Sequence, residues 1–279
     1  DRHLGYRKGR LNFAIWRKLV AQHSDLCLDF TGNDRSALMA KLSGARQRVT
    51  YEKLANKKSW RRGIYHTLSG ASVRELHTLD YHHALLEAAG VDARPQGLSI
   101  SIPDRAAKTA QELCPHEPFA VVHAGSAREE KYWPADRWAE VIDRLDVPVV
   151  LTGADDPFER RHLDAIKAAA GHDLVDLAGR LSLVELTAVI ARSELALGVD
   201  SAAMHLAACL EIPQVVLFGP TNPYHWRPRH KSAAIALAGL ETPPKSFTPK
   251  HKNMPMDELS TAAVIRAIGC VCGGLLPQG

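Results

Sequence analysis

The chain has 279 residues, 46% of them hydrophobic and 24% charged, a length that suits two domains and a composition that excludes a disordered or fibrous protein. Lysine and arginine exceed aspartate and glutamate by only 35 to 31, too slight an excess for nucleic-acid binding, although it suits phosphate-bearing ligands or an anionic membrane surface. No apolar run reaches the roughly 18 residues a membrane span requires, and the opening Asp1-Arg2-His3-Leu4-Gly5 is no signal peptide.

The five cysteines are scattered without C-x-x-C or zinc-like spacing, which points to a reducing cytoplasm. The chain opens without Met inside a polar stretch, so Asp1 is not expected to be the natural amino terminus.

In chain order the elements follow a βα rhythm. Asn12 to Gln22 reads as a helix with Phe13, Trp16, Leu19 and Val20 on one face. A strand is expected at Leu26 to Phe30, a polar turn at Thr31 to Asp34 and a helix from Arg35 to Leu42. Asn56 to Arg62 is basic and aperiodic; an exposed loop or a contact surface for an anionic acceptor both fit it. The helix Leu79 to Ala89 runs into Gly90 and a connector, Asp92 to Pro103, which divides the chain into expected domains 1–102 and 103–279.

Beyond it the pattern is more regular. Strands are expected at Phe119–His123, Val149–Thr152, Leu174–Asp176, Leu195–Val199 and Gln214–Phe218. The helices between them are expected at Pro134–Leu145, with Pro134 at the first helical position, and at Pro157–Ala170, Leu183–Ala191 and Ala202–Leu210. Ser182 and Glu185 form a capping box for the third of these. Apolar strands alternating with amphipathic helices imply a parallel sheet covered on both faces.

Ligands of such sheets bind beyond the carboxyl ends of the strands, so the turns there are the candidate site. After the first strand comes His123-Ala-Gly-Ser126 followed by Lys131. This is either an ordinary surface loop or a small-residue turn in which Ser126 and Lys131 meet a phosphate. The turn after the second strand holds Asp155, Asp156 and Glu159; the acids serve either the helix dipole or ribose hydroxyls. Gly198-Val-Asp200-Ser201-Ala202-Ala203-Met204-His205 ends a buried strand with an acid and a hydroxyl that cap a helix of small residues. Its backbone amides are free for a diphosphate, whereas His205 by itself is as well explained as a structural histidine. Gly219-Pro220-Thr221 closes the last strand, and with Trp226 could border a sugar pocket.

Taken together and in order, these segments resemble glycosyltransferase family 9, the ADP-heptose:lipopolysaccharide heptosyltransferases. The resemblance rests on the His123-Ala-Gly-Ser to Lys-x-Trp-Pro run, the Leu151-Thr-Gly turn reaching Glu159, Leu177-Ala-Gly-Arg-Leu-Ser-Leu-x-Glu-Leu, the Asp200 segment and Leu217-Phe-Gly-Pro-Thr. It extends more weakly into the first half through Leu28-Asp-Phe-Thr-Gly-Asn-Asp and Leu79-Asp-Tyr-His. The Asp-Ser-Ala-Ala-Met-His form and the Trp226-Arg-Pro that follows Thr221 are most similar to the branch that adds the third heptose of the inner core.

The resemblance implies an α/β protein of GT-B architecture, two Rossmann-like domains facing a cleft. It implies an inverting, metal-independent and cofactor-free transfer of L-glycero-D-manno-heptose from ADP-heptose to the lipopolysaccharide inner core. The implied setting is cytoplasmic, peripheral to the inner membrane. In that scheme Lys131 and Ser126 contact the diphosphate, and Lys131 stabilises the leaving group. Glu159 holds ribose, Leu181 lines the adenine and Asp200 bonds the heptose. The amides after Ser201, those of Ala202 and Ala203 among them, receive phosphate, with Ser201, His205 and Thr221 also in the substrate site. No Asp-x-Asp triplet that could clamp a metal on the diphosphate occurs in the chain.

One departure stands out. The family opens with a βα unit whose glycine-containing loop carries an Asp that acts as catalytic base, and nothing here matches it. On the order of two βα units, roughly 60 residues, are expected to be absent from the first domain, and the catalytic base with them. On that expectation the chain binds ADP or ADP-heptose without transferring the sugar. The alternatives are another GT-B nucleotide-sugar enzyme, such as an epimerase, and a non-catalytic nucleotide-sugar-binding remnant.

Overall fold

The computed structural model describes residues 17, 20, 21, 24–92 and 100–277. Of the helix expected over 12–22, Arg17, Val20 and Ala21 are described and helical; the rest lies outside the described residues, as do positions 93–99 of the expected connector. Two compact units make up the chain, Asp1–Pro95 and Gln96–Gly279.

The first unit runs β1 (Leu26–Asp29), α1 (Asp34–Leu42), β2 (Gln47–Tyr51), α2 (Glu52–Ala55), α3 (Ser59–Arg62), β3 (Thr67–Ser69) and α4 (Thr78–Ala88). Its strands form a parallel sheet in the order β1-β2-β3, with Leu28 opposite Val49 and Val49 opposite Thr67. One small core gathers Ala37, Ala40, Ile64 and Tyr65, and another Val49, Tyr51, Tyr81 and Leu85.

The turn after β1 is organised by a buried carboxylate. Asp29 accepts hydrogen bonds from the amides of Thr31 (3.0 Å) and Gly32 (2.9 Å) and from the Tyr65 hydroxyl. Gly32 sits at a φ of +54° against Leu54, a conformation and a space that a side chain would not tolerate. Burial works to raise the Asp29 pKa, but the bonds from Tyr65, Gly32 and their neighbours outweigh it and hold the carboxyl below its usual range.

The basic stretch 56–62 is not wholly an exposed loop. Its end is α3, and Arg61 is buried, donating to Asp34 Oδ1 at 2.6 Å and to the Gly32 carbonyl at 2.8 Å. Lys58 reaches Asp34 Oδ2 at 2.7 Å. Half of the stretch therefore ties the chain back to the β1 turn, because Asp34 and the free carbonyl there need donors.

The second unit contains α5 (Asp104–Leu113), β4 (Ala120–His123), α6 (Ala135–Ile142), β5 (Val149–Thr152), α7 (Pro157–Ala169), β6 (Val175–Asp176), α8 (Leu183–Ile190), β7 (Leu195–Val199), α9 (Ala202–Cys209), β8 (Gln214–Phe218), α10 (Pro223–Trp226), β9 (Ala233–Leu237) and α11 (Thr261–Cys272). Its six strands are parallel, in the order β6-β5-β4-β7-β8-β9.

Side chains alternate strictly between the two faces. Ala120, Val122, Leu195, Leu197, Val215 and Leu217 pack with Trp133, Trp138, Leu163 and Ile268 on one side. Val121, Ala196, Val216 and Phe218 pack with Ala110, Ile190, Met204 and Ala207 on the other. The strands read as continuous apolar runs because both faces of a parallel sheet are covered. Pro134 stands at the N-cap of α6 rather than inside it.

Candidate functional site

The strand order of the larger sheet reverses between β4 and β7. The chain lays β5 and β6 to one side of β4, then crosses back to place β7, β8 and β9 on the other, so the turns after β4 and β7 diverge and leave a crevice at their carboxyl ends. Lys131 arrives there on the turn after β4, Asp200 on the turn after β7 and Thr221 on the turn after β8.

These three side chains meet. Lys131 Nζ donates to Asp200 Oδ2 at 2.7 Å and to the Asp200 carbonyl at 2.8 Å, and Thr221 Oγ1 donates to the same Oδ2 at 3.0 Å. The ion pair is well shielded, with the Lys131 and Asp200 side chains 11% and 9% exposed. An ammonium has three donors, so one N–H of Lys131 remains for a ligand. Asp200 Oδ1 makes no hydrogen bond among the described residues and remains an acceptor.

The capping role expected of Asp200 and Ser201 is not what the structure shows. Asp200 is engaged by Lys131 and Thr221. Ser201 stands at the N-cap of α9 with extended backbone, but its side chain makes no cap bond, and its Oγ is buried without a partner among the described residues. The amides of the first turn, from Ala202 to Met204, lack intrahelical acceptors as at any helix start. Ala202 is exposed and Ala203 buried, and His205 stands on the exposed side one turn in.

Glu159 is placed by two glycines. It is buried in the first turn of α7 and its Oε1 accepts from the Ala154 amide at 2.8 Å. A Cβ on Gly153 would lie 2.6 Å from that oxygen, and one on Gly125 would overlap the carboxylate outright. The turns after β4 and β5 are thus small because Glu159 lies between them. Asp156 fills the helix-dipole role weighed for this acidic turn, accepting from Phe158 N at 3.0 Å and Glu159 N at 3.3 Å.

Ser126 is held within its own turn, its Oγ accepting from Arg128 N at 3.4 Å and its carbonyl from the Tyr132 hydroxyl at 3.1 Å. Leu181 lies half-buried at the entry to α8, beside the second core. No hydrogen bond or ion pair among the described residues joins Ser126, Glu159 or Leu181 to the Lys131–Asp200 pair. Nor do three His, Cys, Asp or Glu side chains gather there as ligands for a metal ion.

Sequence reasoning passed over His123 as a site residue. Its Nδ1 lies 3.0 Å from Thr152 Oγ1, and that hydroxyl donates to the Val122 carbonyl. With the one threonine proton committed, Nδ1 is the donor and Nε2 keeps a lone pair. Enclosure pushes its pKa down to about 4, so the ring is neutral near pH 7. The position ends β4 beside the crevice, which was the available signal.

Residues 12–254 match the family model of glycosyltransferase family 9 (heptosyltransferase). A relative named lipopolysaccharide heptosyltransferase 3, from Escherichia coli, is 26% identical over 269 residues, which covers 92% of this chain and 77% of that protein. Among solved structures, a family 9 glycosyl transferase from Veillonella parvula superimposes with a TM-score of 0.77 at 23% identity, over 92% of this chain and 76% of its own. The E. coli ADP-heptose lps heptosyltransferase II does so with a TM-score of 0.73 at 20% identity, over 92% and 79%. At these identities the structural likeness establishes the fold, an α/β arrangement of parallel sheets matching GT-B heptosyltransferases.

Proposed function

The chain belongs to glycosyltransferase family 9, the heptosyltransferases, and we propose that it moves L-glycero-D-manno-heptose from ADP-heptose to the lipopolysaccharide inner core, with inversion and without a metal. The observation that carries this reading is the Lys131–Asp200–Thr221 group at the switch point of the larger sheet. The donor is the one in the name of the E. coli ADP-heptose lps heptosyltransferase II, and lipopolysaccharide is in the name of the E. coli heptosyltransferase 3. The match to a heptosyltransferase 3 supports the branch that adds the third heptose.

The diphosphate lies over the start of α9, where the free amides of Ala202, Ala203 and Met204 and the helix dipole favour an anion. Lys131 offers its third N–H to the phosphate oxygen that gains charge as ADP departs, while Asp200 fixes the ammonium in place. Asp200 Oδ1 accepts from a heptose hydroxyl, and the Ser201 hydroxyl, otherwise unpaired, finds its partner in the ligand. Glu159 presents its second carboxylate oxygen to ribose, and Leu181 borders the adenine. The first unit takes the acceptor. The enzyme works in the cytoplasm at the surface of the inner membrane; no described helix is long and apolar enough to cross one.

Titration calorimetry with ADP and a transfer assay on a heptose-deficient core test this. The chain by itself is expected to bind ADP without transferring the sugar, and in an enzyme that carries the catalytic base Lys131→Ala is expected to lower turnover by about 10² to 10³ while weakening ADP binding less. Transfer at the unaltered rate in that variant overturns the role given to Lys131, and absence of any ADP binding to the unaltered chain overturns the donor site.

A further inference from the structure

His123 ends β4, yet the donor site proposed above gives it no part. Its side chain stands on the sheet face that carries Val121, Val150 and Ala196, since alternate residues of a strand share a face. In register it lies between Thr152 of β5 and Gly198 of β7. Thr152 fixes the ring through the 3.0 Å contact with Nδ1. Gly198 leaves the other side open: a Cβ there would lie 3.4 Å from His123 Cβ and 3.1 Å from Met204 Sδ, so the ring and the first turn of α9 border one space. We infer that His123 is a nucleotide-binding residue whose Nε2 accepts a hydrogen bond from a ribose hydroxyl of the ADP moiety.

The atom is available. Nε2 bonds nothing among the described residues, and unlike the Nε2 atoms of His162, His230 and His251 it is not sealed from solvent. Because the Thr152 proton goes to the Val122 carbonyl, Nδ1 carries the ring proton and Nε2 the lone pair. That lone pair decides the chemistry of the partner. Phosphate oxygens only accept, so the neighbouring diphosphate cannot satisfy it. An imidazolium would attract phosphate instead, but enclosure keeps this ring neutral near pH 7. On the nucleotide there remain the ribose O–H groups and the adenine amine.

Position chooses between them. The strands run β6-β5-β4-β7, each about 4.8 Å from the next. The start of α9, given above to the diphosphate, follows β7, one strand from His123. Leu181, given to the adenine, follows β6, two strands away on the other side, and packs on the same face. Ribose joins the two ends of the nucleotide, so it crosses the ends of β4 and β5, over His123. Glu159 comes to the same turns from α7, which packs on the opposite face through Leu163 and Ile166. The two ribose hydroxyls are thus held from two sides, one by a carboxylate and one by an imidazole, which favours a ribonucleotide over its deoxy form.

The inference rests on the donor site proposed above, and the test separates the two. ADP, 2′-deoxy-ADP and 3′-deoxy-ADP are titrated calorimetrically into the unaltered chain, His123→Phe and His123→Gln. The unaltered chain is expected to bind each deoxy analogue roughly three- to tenfold more weakly than ADP. His123→Phe is expected to weaken ADP by a similar factor and to bind one analogue as tightly as ADP, while still discriminating against the other. His123→Gln, which still presents an acceptor, is expected to recover part of the loss. A residue that only supports the fold weakens all three ligands alike, so equal discrimination in all three chains overturns the role. If melting shows that neither variant folds, ¹⁵N NMR of histidine in the unaltered chain decides. An unprotonated Nε2 that shifts on adding ADP but not pyrophosphate upholds the role, and the absence of any such resonance overturns it. Failure of the unaltered chain to bind ADP removes the donor site and His123 with it, whereas ADP binding with unchanged discrimination removes His123 alone.

Discussion

Lys131 and Asp200 read separately as a phosphate cation and a sugar acid, and the fold makes them one unit. Removing either leaves the other charge shielded and unpaired, which costs on the order of 3 kcal/mol. Asp200→Asn is therefore expected to destabilise well beyond the loss of about 1 kcal/mol that a capping role implies. Lys131→Ala combined with Asp200→Asn should recover most of that stability, as read by urea denaturation, but not the transfer activity. Equal additive losses would show that the pair is not coupled.

Asp29 gives a pH dependence of known sign. Its carboxyl is held below its usual range, so the stabilisation is present above the unfolded value of about 3.9 and fades as pH falls through the folded value. Tyr65→Phe should lower stability near neutral pH by roughly 1.5 to 3 kcal/mol, since it removes a hydrogen bond to a charged group. The difference from the unaltered chain should close below about pH 4. A gap that persists unchanged into acid would assign the loss to packing instead.

Three helices of the larger unit begin at a serine, and for two of them, α8 and α9, the expectations are opposite. Ser182 Oγ accepts from the Glu185 amide and Glu185 returns a bond to the Ser182 amide at 2.8 Å, so Ser182→Ala should cost about 1 kcal/mol. Ser201→Ala should change stability by less than about 0.5 kcal/mol, because no bond is lost and an unsatisfied hydroxyl is removed. Thermal melts of the two variants decide the matter, and a large loss at Ser201 would mean that its hydroxyl already has a partner. At the start of α7, Gly125→Ala should cost about 1 to 3 kcal/mol by forcing Glu159 out of its slot. Glu159→Ala in the same chain should restore the stability if that overlap is the cause.

For the whole molecule, every donor contact proposed lies in the larger unit, on turns that converge because its sheet is doubly wound. ADP at a hundred times its Kd should stabilise that unit by about 2.7 kcal/mol. Hydrogen exchange should slow in the turns after β4, β7 and β8 and at the start of α9, with the β1–β3 sheet unchanged. Protection spread equally over both units would place the nucleotide elsewhere.

The larger unit was legible in the chain because each of its inner strands is an apolar run bounded by a turn and a helix start, as in Leu195–Val199 followed by Ala202–Cys209. Local hydrogen bonding likewise made the Ser182 and Glu185 box readable from spacing alone. β9 was not legible: Ala-Ala-Ile-Ala-Leu carries little strand preference, and it becomes a strand by pairing with β8. β2 opens with Gln47 and Arg48, and β3 has three residues, so neither shows a period. α5 and α11 were also unassigned.

At the site, sequence marked Lys131, Asp200 and Thr221 as the right residue types at strand ends. Their union spans 90 positions and depends on which strands become neighbours. Order along the chain carries no information about that adjacency, since β4 lies beside β7 only after two intervening strands have been laid on its other side. The same is true of Arg61, whose charge looks solvated in a basic run and is buried because Asp34 and the Gly32 carbonyl come to meet it. Local pattern fixes which groups are present, and long-range packing fixes which of them touch.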